Sequence, residues 1–212
     1  MPKLVYLAIM LCSPMVLAAE PPQSGIAIQA GQGILLAEVN PQLKSLKKAD
    51  LTLEIWIRPD PATIARPRAL LWLFTNKSGS DVAGIGLSTS AGKLQANVLG
   101  SKLSSAPPLV ANEWTHVCLT VNTRKLNKVA TLWIQGRRSD RTLVPRPWPG
   151  EFFYTRLMSD PWGLARVFTG EVGPIRVSSE VLYREDFDPT SDWKQSDNTL
   201  LLLQPDQVRV AE

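Results

Sequence analysis

The clearest structural signal in this chain is Leu51-Thr52-Leu53-Glu54-Ile55-Trp56-Ile57-Arg58. Apolar side chains stand at every second position of this stretch, which is the side-chain period of a pleated strand. The residues that would share one face are Leu51, Leu53, Ile55 and Ile57. Pro59 follows and cannot donate a backbone hydrogen bond to a sheet. The stretch therefore predicts one strand with a buried face, which ends at the proline.

Strand patterns extend in both directions from residues 51–58. Two of them, at 84–88 and 93–99, are joined across Ser90-Ala91-Gly92 and predict a hairpin. The other predicted strands lie at 26–28, 33–37, 69–74, 114–121, 129–135, 152–158, 168–177 and 199–203. Only residues 41–48 and 182–186 have the pattern of a short helical turn. Many short strands separated by turn residues, without strand–helix alternation, predict an all-β, antiparallel sandwich.

The first residues have the composition of an export signal. Lys3 precedes an almost wholly apolar run at 4–17, and Ala18 and Ala19 are small residues of the kind that a signal peptidase requires. The run is short for a transmembrane helix, so we predict cleavage near these alanines, with an uncleaved anchor as the alternative. The chain then divides into a signal peptide at 1–19 and one sandwich domain at 20–212. We expect a secreted, periplasmic or cell-surface protein with no membrane span after cleavage.

Four of these stretches occur in an order that resembles a known family. They lie at 51–59, 114–121, 132–136 and 170–177. They are similar to the corresponding strands of laminin-G-like and pentraxin-like domains in the concanavalin A-like lectin/glucanase superfamily. The similarity covers about Gly25 to Gln204. It implies a concanavalin A-like jelly roll that serves as a noncatalytic module for binding carbohydrate or glycoconjugate.

Individual residues within these stretches carry structural expectations of their own. The tryptophans expected to pack in the core are Trp56, Trp114 and Trp133. Gly136 suits a tight turn with a positive φ, and Gly170 suits a close backbone approach. Pro174 stands inside a strand pattern, so it predicts an edge strand or an irregularity there.

The residues that could carry catalysis lack suitable partners. His116 is the chain's one histidine, and it alternates with Cys118 on a predicted strand, where buried structural roles are expected for both. Glycoside hydrolysis needs two facing carboxylates, but neither Glu54 nor Glu171 has an acid two residues further on. We therefore predict that the protein is not an enzyme, and a divergent glycoside hydrolase remains an alternative.

No cofactor is predicted, although calcium remains an alternative. Relatives of this fold often bind Ca²⁺ through oxygen ligands on loops at the rim of the sandwich. Here Gly173 and Pro174 stand where the resemblance places an acidic pair, and Gln135 replaces an acid before a glycine. The densest remaining oxygen cluster consists of Asp186, Asp188 and Asp192. A solvated turn explains this cluster more simply.

The basic residues are dispersed along the chain, whose formal net charge is +4. The two groups of basic residues are Lys44, Lys47 and Lys48, and Arg137, Arg138 and Arg141. Both groups read as solvated loop charges. Nucleic-acid binding would need a denser basic stripe with interleaved aromatic residues, so it is not predicted. Attraction to an acidic polysaccharide or an anionic surface remains an alternative.

Two tryptophans outside the predicted strands are the candidates for ligand contact. Trp148 and Trp162 lie in Pro- and Gly-containing segments, with Arg146 and Arg166 nearby in sequence. Such side chains could stack on a sugar ring or anchor a protein partner, or each tryptophan could hold its own loop on the sandwich. The predicted partner is a glycan or an extracellular or cell-surface protein, so a protein-interaction or surface-scaffold domain is the alternative function.

Overall fold

The computed structural model describes residues 20–29, 33–34, 50–74, 84–123, 128–145, 154–157, 168–207 and 210–211. The elements in these ranges are β1 (Ile26–Ile28), β2 (Gly33–Ile34), β3 (Leu51–Pro59), α1 (Pro61–Ala65), β4 (Arg68–Phe74), β5 (Ile85–Ser90), β6 (Lys93–Val98), β7 (Ser101–Ser104), β8 (Thr115–Asn122), β9 (Val129–Ile134), β10 (Arg137–Leu143), β11 (Tyr154–Leu157), β12 (Gly170–Ser178), β13 (Thr199–Leu203) and β14 (Val210–Ala211), with a 3-10 turn at Pro205–Gln207. No helix in this part of the chain is long and apolar enough to cross a membrane.

The strands form two antiparallel sheets, which confirms the predicted sandwich. The front sheet has the order β1-β12-β3-β8-β9-β10, with β13 also paired to β12. The back sheet has the order β14-β2-β11-β4-β5-β6-β7. Strands β8 and β9 are antiparallel neighbours, and β5 and β6 form the predicted hairpin. Its two-residue turn places Ala91 and Gly92 at φ values of 50° and 73°, as a turn matched to the strand twist requires.

The core lies between the sheets and contains the alternating residues of β3. Leu53 and Ile55 of β3 pack in one cluster with Leu119 of β8 and Ile134 of β9, as the strand periodicity predicts. The back sheet contributes Leu71, Ile85, Leu87, Leu94, Ala96, Val98 and Leu103 to the same cluster. Burial of each large aliphatic side chain is worth about 1.5–3 kcal/mol relative to exposure. This shared apolar interior is what joins the two sheets.

The outer face of the front sheet is buried as well, under residues 179–198, which we call the strap. Trp56 and Trp133 alternate with the core residues of β3 and β9, and they lie 0% and 2% exposed on this outer face. The prediction that they are buried is correct, but they pack beneath the strap and outside the cluster between the sheets. Period-two patterning identifies a second face without showing what covers it, because the covering segment is distant in sequence.

Hydrogen bonds attach the strap to the sheet at several points. Thr52 Oγ1 donates to the Glu180 carbonyl at 2.5 Å and accepts from the Leu182 N–H at 3.1 Å. Trp56 Nε1 donates to the Thr190 carbonyl at 3.1 Å. Residues 182–186 contain no helix, so the helical turn predicted there is wrong. Bonds to the sheet replace the bonds that a helix would form within itself.

A short helix and the three strands β7, β10 and β14 were missed by the sequence patterns. Helix α1 begins after Asp60, whose side chain accepts from the Thr63 N–H at 2.7 Å, and Pro61 opens its first turn. An acidic N-cap followed by a proline at the first helical position is a recognised helix signal. In the sequence analysis, the same residues indicated only that a strand ends. Strands β7 and β10 lack an apolar face because both are edge strands, so their residues read as loop.

The two edge strands are also joined to one another, which closes one side of the sandwich. The Ser104 N–H on β7 donates to Asp140 Oδ2 on β10 at 2.9 Å. Beside it, the Ala106 N–H donates to Ser139 Oγ at 2.8 Å. These bonds hold β10 firmly although only one of its sides is paired to a strand of its own sheet.

The proline and glycine predictions are confirmed in part. Strand β12 has a register shift between Val172 and Ile175, so Pro174 marks an irregularity, but the strand is internal to its sheet. Gly170 has a φ of 133°, and a Cβ there would overlap the Arg58 carbonyl oxygen. Gly136 has the expected positive φ, at 70°, and its carbonyl accepts from the Phe187 N–H of the strap at 2.9 Å. The predicted helical turn at 41–48 lies outside the described residues.

Gly136→Ala should destabilise the fold more than Gly92→Ala, because the strap contacts the first glycine. Both residues have φ values near 70°, so each alanine should cost about 1 kcal/mol in backbone strain. A Cβ at Gly136 would also overlap the Phe187 carbonyl oxygen, whereas at Gly92 its nearest neighbour is 3.6 Å away. The steric overlap should add about 2 kcal/mol or more. Urea denaturation measures both values, and equal losses would contradict the contact between Gly136 and the strap.

Candidate functional site

A β-bulge on β10 brings two arginines to the same face of the front sheet. Arg138 and Arg141 are three positions apart, and in a regular strand that spacing would place them on opposite faces. The register shifts between Arg138 and Asp140, so Arg138 pairs with Trp133 and Arg141 pairs with Thr131, both on the outer face. Asp140 pairs with Leu132 of the core face instead. The bulge therefore separates the two cations from the acid that stands between them in sequence.

These arginines border a groove of about 230 Å³ between β10 and the strap. Thr120, Thr131 and Trp133 of the front sheet form its floor, and Val181, Tyr183 and Arg184 of the strap form the opposite wall. Trp133 Nε1 donates to Thr120 Oγ1 at 3.1 Å, so the floor is fixed by its own hydrogen bond. We call this site the arginine groove, after Arg138, Arg141 and Arg184.

The strap wall is held by a buried carboxylate. Glu54 is fully buried, and its Oε2 lies 2.6 Å from the Arg176 guanidinium. Its Oε1 accepts from the Tyr183 hydroxyl at 2.9 Å, and that hydroxyl accepts from Arg176 at 3.0 Å. Tyr183 also stacks on Phe187 with ring centroids 3.5 Å apart. Burial and the neighbouring carboxylate raise the pKa of Tyr183 well above its ordinary value, so the hydroxyl stays protonated as a donor.

The three groove arginines have no acidic partner among the described residues. The ion pairs in this part of the chain join Arg58 to Glu171, Arg137 to Asp188, and Glu54 to Arg176. The residues that line the groove include three arginines and no acid. Arg138 contacts Asp186 through its backbone N–H, which donates to Oδ1 at 3.1 Å. The groove is therefore a cationic site with an aromatic and hydroxyl-bearing floor.

His116 lies beneath the strap in an aromatic enclosure, remote from solvent. Its ring centroid is 5.2 Å from that of Trp56, 5.7 Å from Phe187 and 5.8 Å from Trp193. Nε2 lies 3.4 Å from Glu54 Oε1, but within the described residues neither ring nitrogen forms a hydrogen bond. The expected burial is confirmed, and Nε2 contacts Glu54 without forming a hydrogen bond. Burial lowers the pKa of His116 below its ordinary value, while Glu54 opposes the shift.

Cys118 is buried beside this enclosure, as predicted. Its side chain is 0% exposed and forms no disulfide. Burial raises the pKa of the Cys118 thiol well above its ordinary value. The reactive form of cysteine is the thiolate, so this environment favours the unreactive thiol.

A second depression lies at the end of β3, and its charged side chains already have partners within the protein. It is lined by Arg58, Asp60, Asn112 and Glu171 among others. Arg58 pairs with Glu171 and lies 5.4 Å from the ring of Trp114. Asp60 caps α1 and accepts from Thr169 Oγ1 at 2.8 Å. The arginine groove is the stronger candidate because its cations lack such partners within the described chain.

Trp148, Trp162, Arg146 and Arg166, which are predicted to contact a ligand, all lie outside the described residues, and they stay predictions. The prediction of solvated loop charges is confirmed for the exposure of Arg138 and Arg141 and is wrong for the loop, because both stand on β10. These arginines are close together in the sequence, but the bulge decides which face of the sheet each side chain lies on.

Two of the three aspartates considered as calcium ligands contact other groups of the protein. Asp186 accepts from the Arg138 N–H, and Asp188 lies 3.3 Å from an Arg137 guanidinium nitrogen. Asp192 is exposed on the strap. Across the described ranges, no three His, Cys, Asp or Glu side chains are grouped as a metal site would require.

A sequence profile described as the concanavalin A-like lectin/glucanases superfamily matches residues 31–186. No curated protein sequence matches the chain. Among solved structures, the chain is similar to the CBM40 module of the Ruminococcus gnavus IT-sialidase bound to α2,3-sialyllactose. The TM-score is 0.57 and the identity 16%, with 76% of this chain and 92% of that chain covered.

Other solved structures share the fold. A Bacteroides ovatus protein, for which carbohydrate binding has been proposed, has a TM-score of 0.60 and 16% identity. The match covers 82% of this chain and 49% of that protein. A heptameric SAP-like pentraxin from Limulus polyphemus has a TM-score of 0.55 and 12% identity, with 88% and 92% coverage. Sialidases also match, although this chain covers only 28% of the leech trans-sialidase. Similarities at such low identity establish the fold alone.

The stability of the protein should fall as the pH drops below about 6.5, because the unfolded chain then binds a proton that buried His116 resists. The loss approaches at most about 1.4 kcal/mol per pH unit. His116 is the one histidine, so urea denaturation between pH 7.5 and 5.5 isolates its contribution from the carboxyl groups. His116→Gln should remove the slope. A free energy of unfolding that rises on acidification would show that the Glu54 contact affects the pKa of His116 more than burial does.

Proposed function

Because the chain belongs to the concanavalin A-like lectin/glucanases superfamily, we propose that it is an exported, noncatalytic module that binds carbohydrate in the arginine groove. The profile match covers residues 31–186, from β2 through the strap residues that form the groove wall. The observation that carries the proposal is the groove itself. It combines aromatic side chains, hydroxyl groups and guanidinium donors on one open face.

The dimensions and chemistry of the groove suit a sugar. Its volume of about 230 Å³ is smaller than the roughly 300–1,000 Å³ of enclosed small-molecule sites. A ligand would therefore place one part in the groove and leave the rest in solvent, as a longer glycan does. Tyr183 offers ring surface, and the arginines offer planar sets of donors to hydroxyl oxygens.

Noncatalytic action is supported by the positions of the two acids considered for hydrolysis. Glu54 is buried beneath the strap and bound to Arg176 and Tyr183, so a glycosidic bond in solvent would not reach it. Glu171 pairs with Arg58 at the second depression. A glycosidase places two carboxyl groups on either side of the bond that is cleaved, and each of these two is instead paired with an arginine.

Export is supported by the amino-terminal composition. The apolar run at 4–17 ends just before the small residues Ala18 and Ala19. Directly after them, the Glu20 N–H donates to the Pro189 carbonyl of the strap at 3.2 Å. A chain cleaved at the predicted site therefore keeps this contact.

Amino-terminal sequencing of the protein from its native host should find a chain that begins at Ala19 or Glu20. Leu11→Lys would place a charge in the apolar run and should leave the uncleaved protein in the cytoplasm. Recovery of an intact amino terminus on the exported wild-type protein would contradict cleavage and support an anchor.

A glycan array with the mature protein tests the binding function. We expect binding to at least one class of glycan that Val181→Trp reduces about tenfold or more, because the larger ring would fill the groove. Val110→Trp is the matched control, since Val110 is 49% exposed and does not line the groove. Repeating the array with a chelator tests calcium. Binding to protein partners with a blank array would favour a protein-interaction or scaffold domain.

A further inference from the structure

The arginines of the front sheet divide into two groups. Arg58, Arg137 and Arg176 each pair with an acid within the described chain. Arg138 and Arg141 do not, and both face the arginine groove, where Arg184 of the strap joins them. The unpaired cations of this sheet are therefore concentrated at one site, and the paired ones lie elsewhere.

The three neighbouring arginine side chains are cations and repel one another. This repulsion raises the free energy of the groove when no anion is bound. Among the described residues, no acid forms an ion pair with these three side chains, and Asp186 contacts only the backbone N–H of Arg138. Asp140 is turned to the other face by the bulge and accepts from the N–H groups of Ser104 and Arg141. Glu54 lies below the groove wall, but Arg176 already neutralises it. An anion from solution would supply the missing charge.

We propose that the arginine groove selects acidic glycans, and that it binds the carboxylate or sulfate group of a sugar residue. This inference rests on the proposed carbohydrate-binding function and names the class of ligand. The planar guanidinium group offers paired N–H donors that match a carboxylate or sulfate, which a point charge does not. Arg138 and Arg141 approach the anion from β10, and Arg184 approaches it from the strap.

The floor of the groove separates this site from a general basic patch. Thr120, Thr131 and the rings of Trp133 and Tyr183 lie between the two sets of arginines. Trp133, Thr120 and Thr131 are almost fully buried and support the floor, while the half-buried ring of Tyr183 can contact the apolar face of a sugar. The ligand is therefore a saccharide that carries the anion. Free phosphate or sulfate would contact the arginines but leave the floor unused.

Titration calorimetry with defined oligosaccharides tests the proposal. The probes are a hyaluronan hexasaccharide, which carries carboxylates, a heparin hexasaccharide, which also carries sulfates, and a neutral cellohexaose. We expect at least one acidic probe to bind at least tenfold more tightly than cellohexaose. The two acidic probes show whether a carboxylate suffices or a sulfate is required. Inorganic sulfate alone should bind far more weakly than either.

Substitutions identify the groups responsible. Arg138→Gln, Arg141→Gln and Arg184→Gln should each weaken the acidic probe about tenfold, as expected for the loss of a charge-assisted hydrogen bond. Arg138→Lys keeps the charge but not the paired donors. Its affinity for the acidic probe should lie between those of the wild type and Arg138→Gln. Arg66→Gln is the matched control, because Arg66 is exposed and does not line the groove. Melting temperatures of these surface variants should match the wild type.

The outcomes separate this inference from the function on which it rests. Neutral and acidic probes of equal affinity, with no effect of the groove arginines, would overturn the acidic selection and leave carbohydrate binding intact. Equal losses for Arg66→Gln and the groove variants would also overturn it, because the attraction would then be a general effect of net charge. A blank array together with no binding of any probe would contradict the carbohydrate-binding function itself.

Discussion

The burial of the Glu54 carboxylate is the interaction on which the outer half of the structure depends. A buried carboxylate is costly unless it is paired and hydrogen-bonded, and Glu54 meets both conditions through Arg176 of β12 and Tyr183 of the strap. The three groups come from segments far apart in sequence. Their meeting requires the strap to lie in one place on the front sheet.

The position of the strap in turn creates the groove. Tyr183 is held by Glu54 and Arg176 and stacks on Phe187, whose N–H bonds to Gly136 at the turn before β10. The same strap residues therefore connect the buried network with the edge strand that carries the arginines. A protein without this network could keep its two sheets, since the core between them is separate, but it would lose a defined groove wall.

The arginine groove also depends on irregular features of an otherwise regular fold. A regular β10 would direct Arg138 and Arg141 to opposite faces, and the bulge brings them together. The edge position of β10 leaves one side of the strand free for the bulge, while its bonds to β7 keep the distorted strand in place. The residues that line the groove are thus supplied by an irregular edge strand of the front sheet and by the strap, which has neither helix nor strand. The central strands supply the support.

The sequence by itself determined the sandwich and the hairpin of β5 and β6. Leu53, Ile55, Leu119 and Ile134 share one interior because period-two alternation is a local property that any pleated strand expresses. The same alternation placed His116 and Cys118 on one face of their strand. It did not show that a strap 130 residues away would cover Thr52, nor that Arg138 and Arg141 would converge. Those features belong to the tertiary structure, because they depend on contacts between distant segments and on one extra residue in a strand, which local patterns do not encode.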